Sequence, residues 1–336
     1  MNKRIGEQTV AFERPPIMIS AASIAGTKEG EGPLKEFFDA VLNDDKNGRK
    51  SWEQAESKFI EDAVYMAANK AKVNLTDIDY VLAGDLLNQT SASAFGAREF
   101  KRPFLGLYGA CSTMGEGLAV GSMLIDGGFA RKTAVAASSH FCSAEKQFRF
   151  PLGLGTQRPQ STTWTVTGGG AVVLADSGNG PVVTAATVGK IIDMGINDAN
   201  NMGAAMAAAA ADTIAEHLKA RHKNISDYDV VATGDLGYTG LKIAKSVLEK
   251  DGINTDGYFT DCGIEIFDRE KQDTHCGGSG CACSAVTFCG YFYKLMCQRQ
   301  IKSMLLVPTG ALMSRMSAQQ GETIPGIAHA IEIEMR

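Results

Sequence analysis

Three chemically capable residues stand at the ends of apolar runs in the first half of the sequence. Asp85 closes Tyr80-Val-Leu-Ala-Gly-Asp85, and Cys111 closes Phe104-Leu-Gly-Leu-Tyr-Gly-Ala-Cys111. His140 follows Lys132-Thr-Ala-Val-Ala-Ala-Ser138 by two residues. Parallel sheets gather ligands at the carboxyl ends of their strands, so these three side chains could meet around one small molecule. Cys111 is the most informative. Its small neighbours Gly109, Ala110 and Ser112 suit a sharp strand-to-helix turn, and Thr113-Met-Gly-Glu116 reads as a capping box opening the next helix. A thiol at such a helix start faces unpaired backbone N–H groups and the positive end of the helix dipole. Both favour a thiolate or a bound anion. A free cysteine is otherwise a small buried apolar group, and the Gly-Ala-Cys-Ser turn weighs toward a ligand site that includes Ser112. Asp85 could accept hydrogen bonds from a ligand, with Asn88 as a neighbour, or hold a cation. It could equally be a turn or helix-cap residue. His140 could donate to a carboxylate, whereas His217, His222, His275 and His329 lie in settings that suggest ordinary packing or surface roles.

A second group of residues lies in His275-Cys-Gly-Gly-Ser-Gly-Cys-Ala-Cys-Ser284. Its tight pair is C-x-C with no matching partner pair, which does not fit the C-x₂₋₄-C spacing of zinc sites, so no metal site is assigned. The glycines suit a turn whose backbone approaches a ligand closely, with Ser279 and Gly280 as contacts. Thr167-Gly-Gly-Gly170 reads as a tight turn entering a strand. Neither a dinucleotide fingerprint nor a P-loop is present.

The elements that would position these residues alternate as βαβα, which points to α/β layers. The chain has 336 residues, 44% hydrophobic and 21% charged, enough for one large core or two fused ones. Glu53–Lys72 is predicted as an amphipathic helix with Ala55, Phe59, Ala63, Met66 and Ala67 along one stripe. The pattern then restarts. Asn74-Leu-Thr-Asp-Ile-Asp-Tyr-Val-Leu-Ala-Gly-Asp-Leu86 overlays Asn224-Ile-Ser-Asp-Tyr-Asp-Val-Val-Ala-Thr-Gly-Asp-Leu236, with seven of thirteen positions identical. Each copy follows a long Ala-containing helix. A looser match pairs Gly109-Ala-Cys-Ser112 with Cys281-Ala-Cys-Ser284. Repeats this long indicate one duplication and no solenoid, and divide the chain into halves 1–180 and 181–336 at Asp176-Ser-Gly-Asn-Gly-Pro181. Asp235 is the repeat partner of Asp85, which weakens the functional reading of Asp85.

Composition narrows the function classes. A net charge of −5 without any basic run gives no reason to bind nucleic acid or to coat an anionic bilayer unaided. The amino-terminal stretch lacks the apolar core of a secretory signal, and export is not expected. Met202–Ala211 and Thr133–Ala137 are far shorter than a membrane span, so membrane association would be peripheral, through a partner. The eight cysteines, five of them within 276–297, read as thiols in a reducing compartment.

Taken together, the duplicated halves, the cysteine at a strand-to-helix turn and Thr167-Gly-Gly-Gly-Ala-Val-Val-Leu174 resemble the thiolase and ketoacyl-synthase superfamily. Longer strings resemble one family within it, that of stage V sporulation protein AD. They include Lys50-Ser-Trp-Glu53, Leu82-Ala-Gly-Asp-Leu-Leu-Asn-Gln89, Gly109-Ala-Cys-Ser-Thr113, Ser138-Ser-His140, Gly277-Gly-Ser-Gly-Cys-Ala-Cys-Ser-Ala-Val286 and Glu322-Thr-Ile-Pro-Gly-Ile-Ala-His329. The resemblance implies a thiolase-like fold of two βαβ halves in α-β-α-β-α layers. It further implies binding of dipicolinic acid, alone or with Ca²⁺, and its loading into the developing spore. Implied with these are a place inside the cell at the inner membrane of the forespore, membrane-protein partners of the same uptake complex, a homodimer, and no tightly bound cofactor. Cys111 falls at the superfamily's nucleophile position. The departures argue against catalysis. Where ketoacyl synthases carry a second-half histidine this chain reads Thr233-Gly-Asp-Leu-Gly237, and the Gly-His-Pro turn of thiolases is replaced by Gly278-Ser-Gly-Cys-Ala282. A cysteine without its base is a poor acyl acceptor. Binding is therefore expected over the alternative, acyl transfer through Cys111 with His140 as base.

Overall fold

The computed structural model describes residues 3–148 and 158–336. The chain opens with β1 (Thr9–Ala11), β2 (Ile17–Ala25), β3 (Ala40–Val41), α1 (Trp52–Ala71), β4 (Tyr80–Gly84) and α2 (Ser91–Ala97). It continues through β5 (Phe104–Gly106), α3 (Thr113–Asp126), β6 (Lys132–Ser139), α4 (Phe141–Phe148), β7 (Trp164–Thr165) and β8 (Gly168–Ala175). Next come β9 (Val182–Val188), α5 (Met202–Arg221), β10 (Val230–Thr233), α6 (Gly237–Lys250), β11 (Phe259–Asp261) and α7 (Cys262–Glu265). The last elements are β12 (Gly278–Ser279), α8 (Cys281–Thr287), α9 (Tyr293–Cys297), β13 (Ser303–Val307), β14 (Thr309–Ala311), α10 (Arg315–Gln319) and β15 (Gly326–Glu334).

The repeat seen in the sequence has a counterpart in the strand order. The first sheet runs β5-β4-β6-β8-β2 and the second β11-β10-β13-β15-β9. Numbered within its own set, each sheet has the same order. In each the last strand, β8 or β15, runs antiparallel to both neighbours, while the strands around β4 and β10 are parallel. The sheets touch through the antiparallel pair Ile17–Val182. The helices preceding the repeated string match as well. α1 and α5 both span 20 residues and end on a left-handed residue, Lys72 or His222. The α1 start is fixed by Ser51, whose hydroxyl accepts the Gln54 N–H.

Alternation along the strands builds three cores. Val81, Ala83, Ala134 and Ala136 pack under α1 with Phe59, Ile60 and Val64. Leu82, Val135 and Ala137 point the other way, into a central core shared with α3, α8 and the inner face of the second sheet. Val231, Leu305 and Val307 face outward beneath α5 and α6. A period of two thus separates neighbouring residues into different layers, giving the α-β-α-β-α arrangement. The central layer is tight: a Cβ on Gly117 of α3 would lie 2.5 Å from Cγ1 of Val135. No helix among the described residues is long and apolar enough to cross a membrane.

Two local expectations are corrected. The Thr113–Glu116 capping box does not form, because the Thr113 hydroxyl turns back to donate to the Ala110 carbonyl at 2.6 Å. The glycine run is not a turn before a strand but lies inside β8. Side chains are excluded there because a Cβ on Gly170 would meet the Ala285 carbonyl oxygen at 2.5 Å.

Candidate functional site

Cys111 lies in a single 3₁₀ turn, Ala110–Ser112, between β5 and α3. Ala110 is forced to φ +48°, a left-handed conformation unusual for a residue with a Cβ. Several contacts hold the turn in this shape. The Ser112 hydroxyl donates to Gly109 O at 2.6 Å, and the Cys281 thiol donates to Ala110 O at 2.9 Å. The backbone of Gly310 lies so close that a Cβ there would come within 2.3 Å of Gly109 O. Both halves therefore clamp the cysteine turn.

From the second half, Asp235 follows β10 and is fully enclosed. Its Oδ1 accepts the Thr309 hydroxyl at 2.7 Å and its Oδ2 accepts the Gly280 N–H at 3.1 Å. The Asp235 carboxylate acts electrostatically on the Cys111 thiol, and the Gly280 N–H acts on both. Gly280 reaches this position with φ +98°, and a Cβ there would fall 2.7 Å from Ser139 Oγ. Burial pushes the Asp235 carboxyl up to about 7, against the hydrogen bonds from Thr309 and Cys111. Burial first, and the Asp235 charge second, push the Cys111 thiol well above the usual thiol range.

In front of Cys111 opens a cavity of about 150 Å³. Leu86, Phe148, Met202 and Met313 give it apolar walls, while Thr162, Thr163, Thr165, Ser279, Asn200 and Tyr108 supply polar groups. Glu145 is the acid among its described lining residues, and no Lys, Arg or His is among them. Thr165 and Ser279 stand side by side because β7 and β12 pair in parallel, Trp164 with Gly278 and Thr165 with Ser279. The ribbon is pinned by Trp164, which stacks on Phe141 at 3.8 Å and carries Lys28 and Arg158 against its ring. Burial raises the Tyr108 phenol to about 12.

Of the residues expected from the sequence, the structure brings Cys111 and Ser279 to this cavity and Gly280 directly behind them. It does not bring the others. Asp85 is buried with its oxygens accepting Leu87 N–H at 2.8 Å and Ser93 N–H at 2.7 Å, the turn role weighed above. The Ser112 hydroxyl is spent on its own turn. Asn88 lies on the surface, exchanging hydrogen bonds with Gln147. His140 is enclosed between Trp52 and Phe59. Its Nδ1 accepts Cys142 N–H, so the proton is on Nε2, which donates to Asp45 O at 3.0 Å. Burial lowers its proton affinity. No group of three or more His, Cys, Asp or Glu among the described residues is placed to hold a metal ion. Asp235 is the residue that sequence reasoning undervalued. Its signal was present in Thr233-Gly-Asp-Leu-Gly237, at the strand end where a ketoacyl synthase would carry a base.

Comparison with solved structures places this geometry in a known fold. The chain is similar to 3-oxoacyl-[acyl-carrier-protein] synthase III of Aquifex aeolicus (TM-score 0.58, 11% identity, covering 95% of this chain and 99% of that one). It is also similar to cerulenin-bound OleA of Xanthomonas campestris (TM-score 0.62, 13% identity, 97% and 100% covered). At such identities the likeness shows the thiolase-like fold alone. Sequence similarity goes further. The chain is 46% identical over 332 residues to stage V sporulation protein AD of Bacillus subtilis (strain 168), spanning 99% of this chain and 98% of that protein. Residues 6–334 match the family pattern described as Stage V sporulation protein AD (SpoVAD), and the chain belongs to that family.

Proposed function

We propose that this chain is a non-catalytic receptor for dipicolinic acid, taken as its calcium chelate, in the uptake of that acid into the developing spore. The observation that carries the reading is the cavity beside Cys111, rich in hydroxyl groups and without a cation among its described lining residues. Its volume is of the size that takes one six-membered ring. Leu86, Phe148, Met202 and Met313 would cover the ring faces. The hydroxyls of Thr163, Thr165 and Ser279 would donate to carboxylate oxygens. A bare dianion would find hydroxyls but no cation among the described lining residues. The calcium chelate avoids this, because the ion neutralises the carboxylates and prefers oxygen ligands of the kind that line the cavity. The chain's own residues would then orient a nearly neutral planar ligand.

Acyl transfer is disfavoured by the same geometry. A nucleophilic thiol needs a base in reach. His140 has both ring nitrogens occupied away from Cys111, and no histidine is among the described residues lining the cavity. We further propose that the protein works as a homodimer, peripheral to the inner membrane through membrane proteins of the same complex. The edge strand β5 supports the dimer, since no described strand pairs with its outer side and it carries half-exposed Leu105 and, just beyond, Tyr108. Calorimetric titration with dipicolinate, with and without Ca²⁺, tests the ligand. Saturable heat that is strongest with Ca²⁺ present is expected, and no heat in either condition would sink the receptor reading. Incubation with acyl-CoA followed by mass spectrometry should leave Cys111 unmodified.

A further inference from the structure

We infer that Ser139 is a positioning residue: its one hydroxyl fixes both strands that carry the cavity groups Thr165 and Ser279, and so sets where those groups stand for a ligand. The inference rests on the receptor reading above and names what holds its contact groups in place. The ribbon of β7 and β12 has two residues in each strand and forms a sheet of its own, apart from the two large ones. A two-stranded pairing of that size does not hold itself in water. Its inner end, where Thr165 and Ser279 pair, is met by Ser139, the last residue of β6. Fully enclosed, the Ser139 hydroxyl donates to Val166 O at 2.7 Å and accepts the Ala282 N–H at 3.1 Å. Val166 directly follows Thr165, and Ala282 stands just past Ser279 in the first turn of α8. One oxygen atom thereby ties both strands to the first large sheet.

The packing around this hydroxyl is close. A Cβ on Gly280 would come within 2.7 Å of Ser139 Oγ and 3.1 Å of the Thr165 methyl carbon, so only a bare backbone passes between them. The ribbon ladder continues from the same point, with Val166 N–H donating to Ser279 O at 2.8 Å. The outer end is held differently, by the stack of Trp164 on Phe141. Asp235 gives Gly280 a further anchor from the second half, whereas Ser139 spans both strands. Neighbouring Ser138 is as deeply buried, yet its hydroxyl has no partner among the described residues. It is the natural control. Removing the Ser139 hydroxyl orphans the Val166 carbonyl and the Ala282 amide and frees the ribbon to shift. Hydrogen bonds from Thr165 and Ser279 to a ligand would weaken with that shift, because their strength falls steeply with distance and angle.

A double-mutant cycle read by calorimetric titration with calcium dipicolinate tests this on the full chain. Ser139→Ala should weaken binding about tenfold, and Ser138→Ala should bind as the native protein does. Added to Thr165→Val with Ser279→Ala, the same Ser139→Ala change should cost almost nothing more, since the groups it positions are already gone. A purely structural role would weaken both backgrounds equally. Native affinity in Ser139→Ala, or an equal loss in both backgrounds, overturns the inference. Ser139→Cys keeps a weak donor and acceptor at the same place and should fall between serine and alanine. It takes the alanine variant's place in the cycle if that variant does not fold. Hydrogen exchange without ligand separates this claim from the receptor reading. In Ser139→Ala, peptides spanning 163–167 and 278–283 should exchange at least about tenfold faster, while β13 keeps its native rate. If the native chain binds no calcium dipicolinate, the receptor reading falls and exchange alone decides. Faster exchange in the two ribbon peptides then sustains the role of Ser139, and unchanged exchange overturns it.

Discussion

Asp85 and Asp235 occupy the same place in the two copies of the repeat, yet they do different work. Each follows the central parallel strand of its sheet, β4 or β10, in the string Gly-Asp-Leu. In the first half the carboxylate of Asp85 is consumed by the backbone that follows it, Leu87 and Ser93. In the second half Asp261, at the end of the neighbouring strand β11, takes over that task, and Asp235 turns toward Thr309 and Gly280. A duplicated residue keeps its position because the strand end keeps it there. Its chemistry depends on whether some other acceptor has relieved it of its local duty. One structural carboxylate supplied elsewhere was enough to free a second one for the site.

The sharpest way to break this comparison is Asp261→Ala. It orphans three buried N–H groups, those of Leu236, Gly237 and Gly263, each costing roughly 1–3 kcal/mol, and should lower the unfolding free energy in urea by about 4 kcal/mol or more. A loss below about 1 kcal/mol would show that Asp261 does not anchor the turn. Asp85→Ala should cost less, about 2–3 kcal/mol for two orphaned donors, and the folded protein should still bind calcium dipicolinate normally. Normal stability with lost binding would return Asp85 to the site.

The pH dependence sharpens the comparison further. Asp235 and Glu29 are raised from 3.8 to about 7 and from 4.5 to about 8, burial being the main cause. A raised carboxyl stabilises the fold fully below its unfolded value and loses that contribution as pH climbs to the folded one. The melting temperature should therefore decline between about pH 4 and 8, and Asp235→Asn should flatten part of that slope. Glu332 behaves oppositely. Burial opposes its ionisation, but hydrogen bonds from His217, Arg221, Thr184 and Tyr228 prevail and hold it well below its ordinary 4.5. Its contribution is complete above that value and is lost as pH falls further, giving a separate acid limb. The smallest effect belongs to surface Asn88: Asn88→Ala should change stability by no more than about 0.5 kcal/mol.

Much of the fold was legible because it is written locally. Period-two alternation in β4 and β6, the stripe on α1 and the string repeated from Asn74 to Leu86 all depend on near neighbours in sequence. The Cys111 turn was legible for the same reason, its small flanking residues announcing a tight corner. What was hidden depends on partners far along the chain. The fate of His140 is set by Trp52, Phe59 and the carbonyl of Asp45, and nothing near Ser138-Ser-His140 signals that its ring is enclosed. The cap at Thr113 failed because its hydroxyl found a nearer acceptor in a carbonyl exposed by the left-handed Ala110. Asp235 stands in the sequence only as the repeat partner of Asp85, since the acceptor that distinguishes them, Asp261, lies on another strand. The hydroxyl row of the cavity depends on β7 pairing with β12, a contact between residues more than a hundred positions apart.

The central claim is that the cavity in front of Cys111, and not the trio of first-half strand ends, receives the ligand. Calorimetric titration with calcium dipicolinate of the native protein, of Thr165→Val combined with Ser279→Ala, and of Asn88→Ala tests it most directly. The account predicts saturable binding in the native protein and in Asn88→Ala, and a loss of at least about tenfold in affinity in the cavity variant, where two hydrogen bonds to a charged ligand are removed. Native affinity in the cavity variant, with binding abolished in Asn88→Ala, would contradict it.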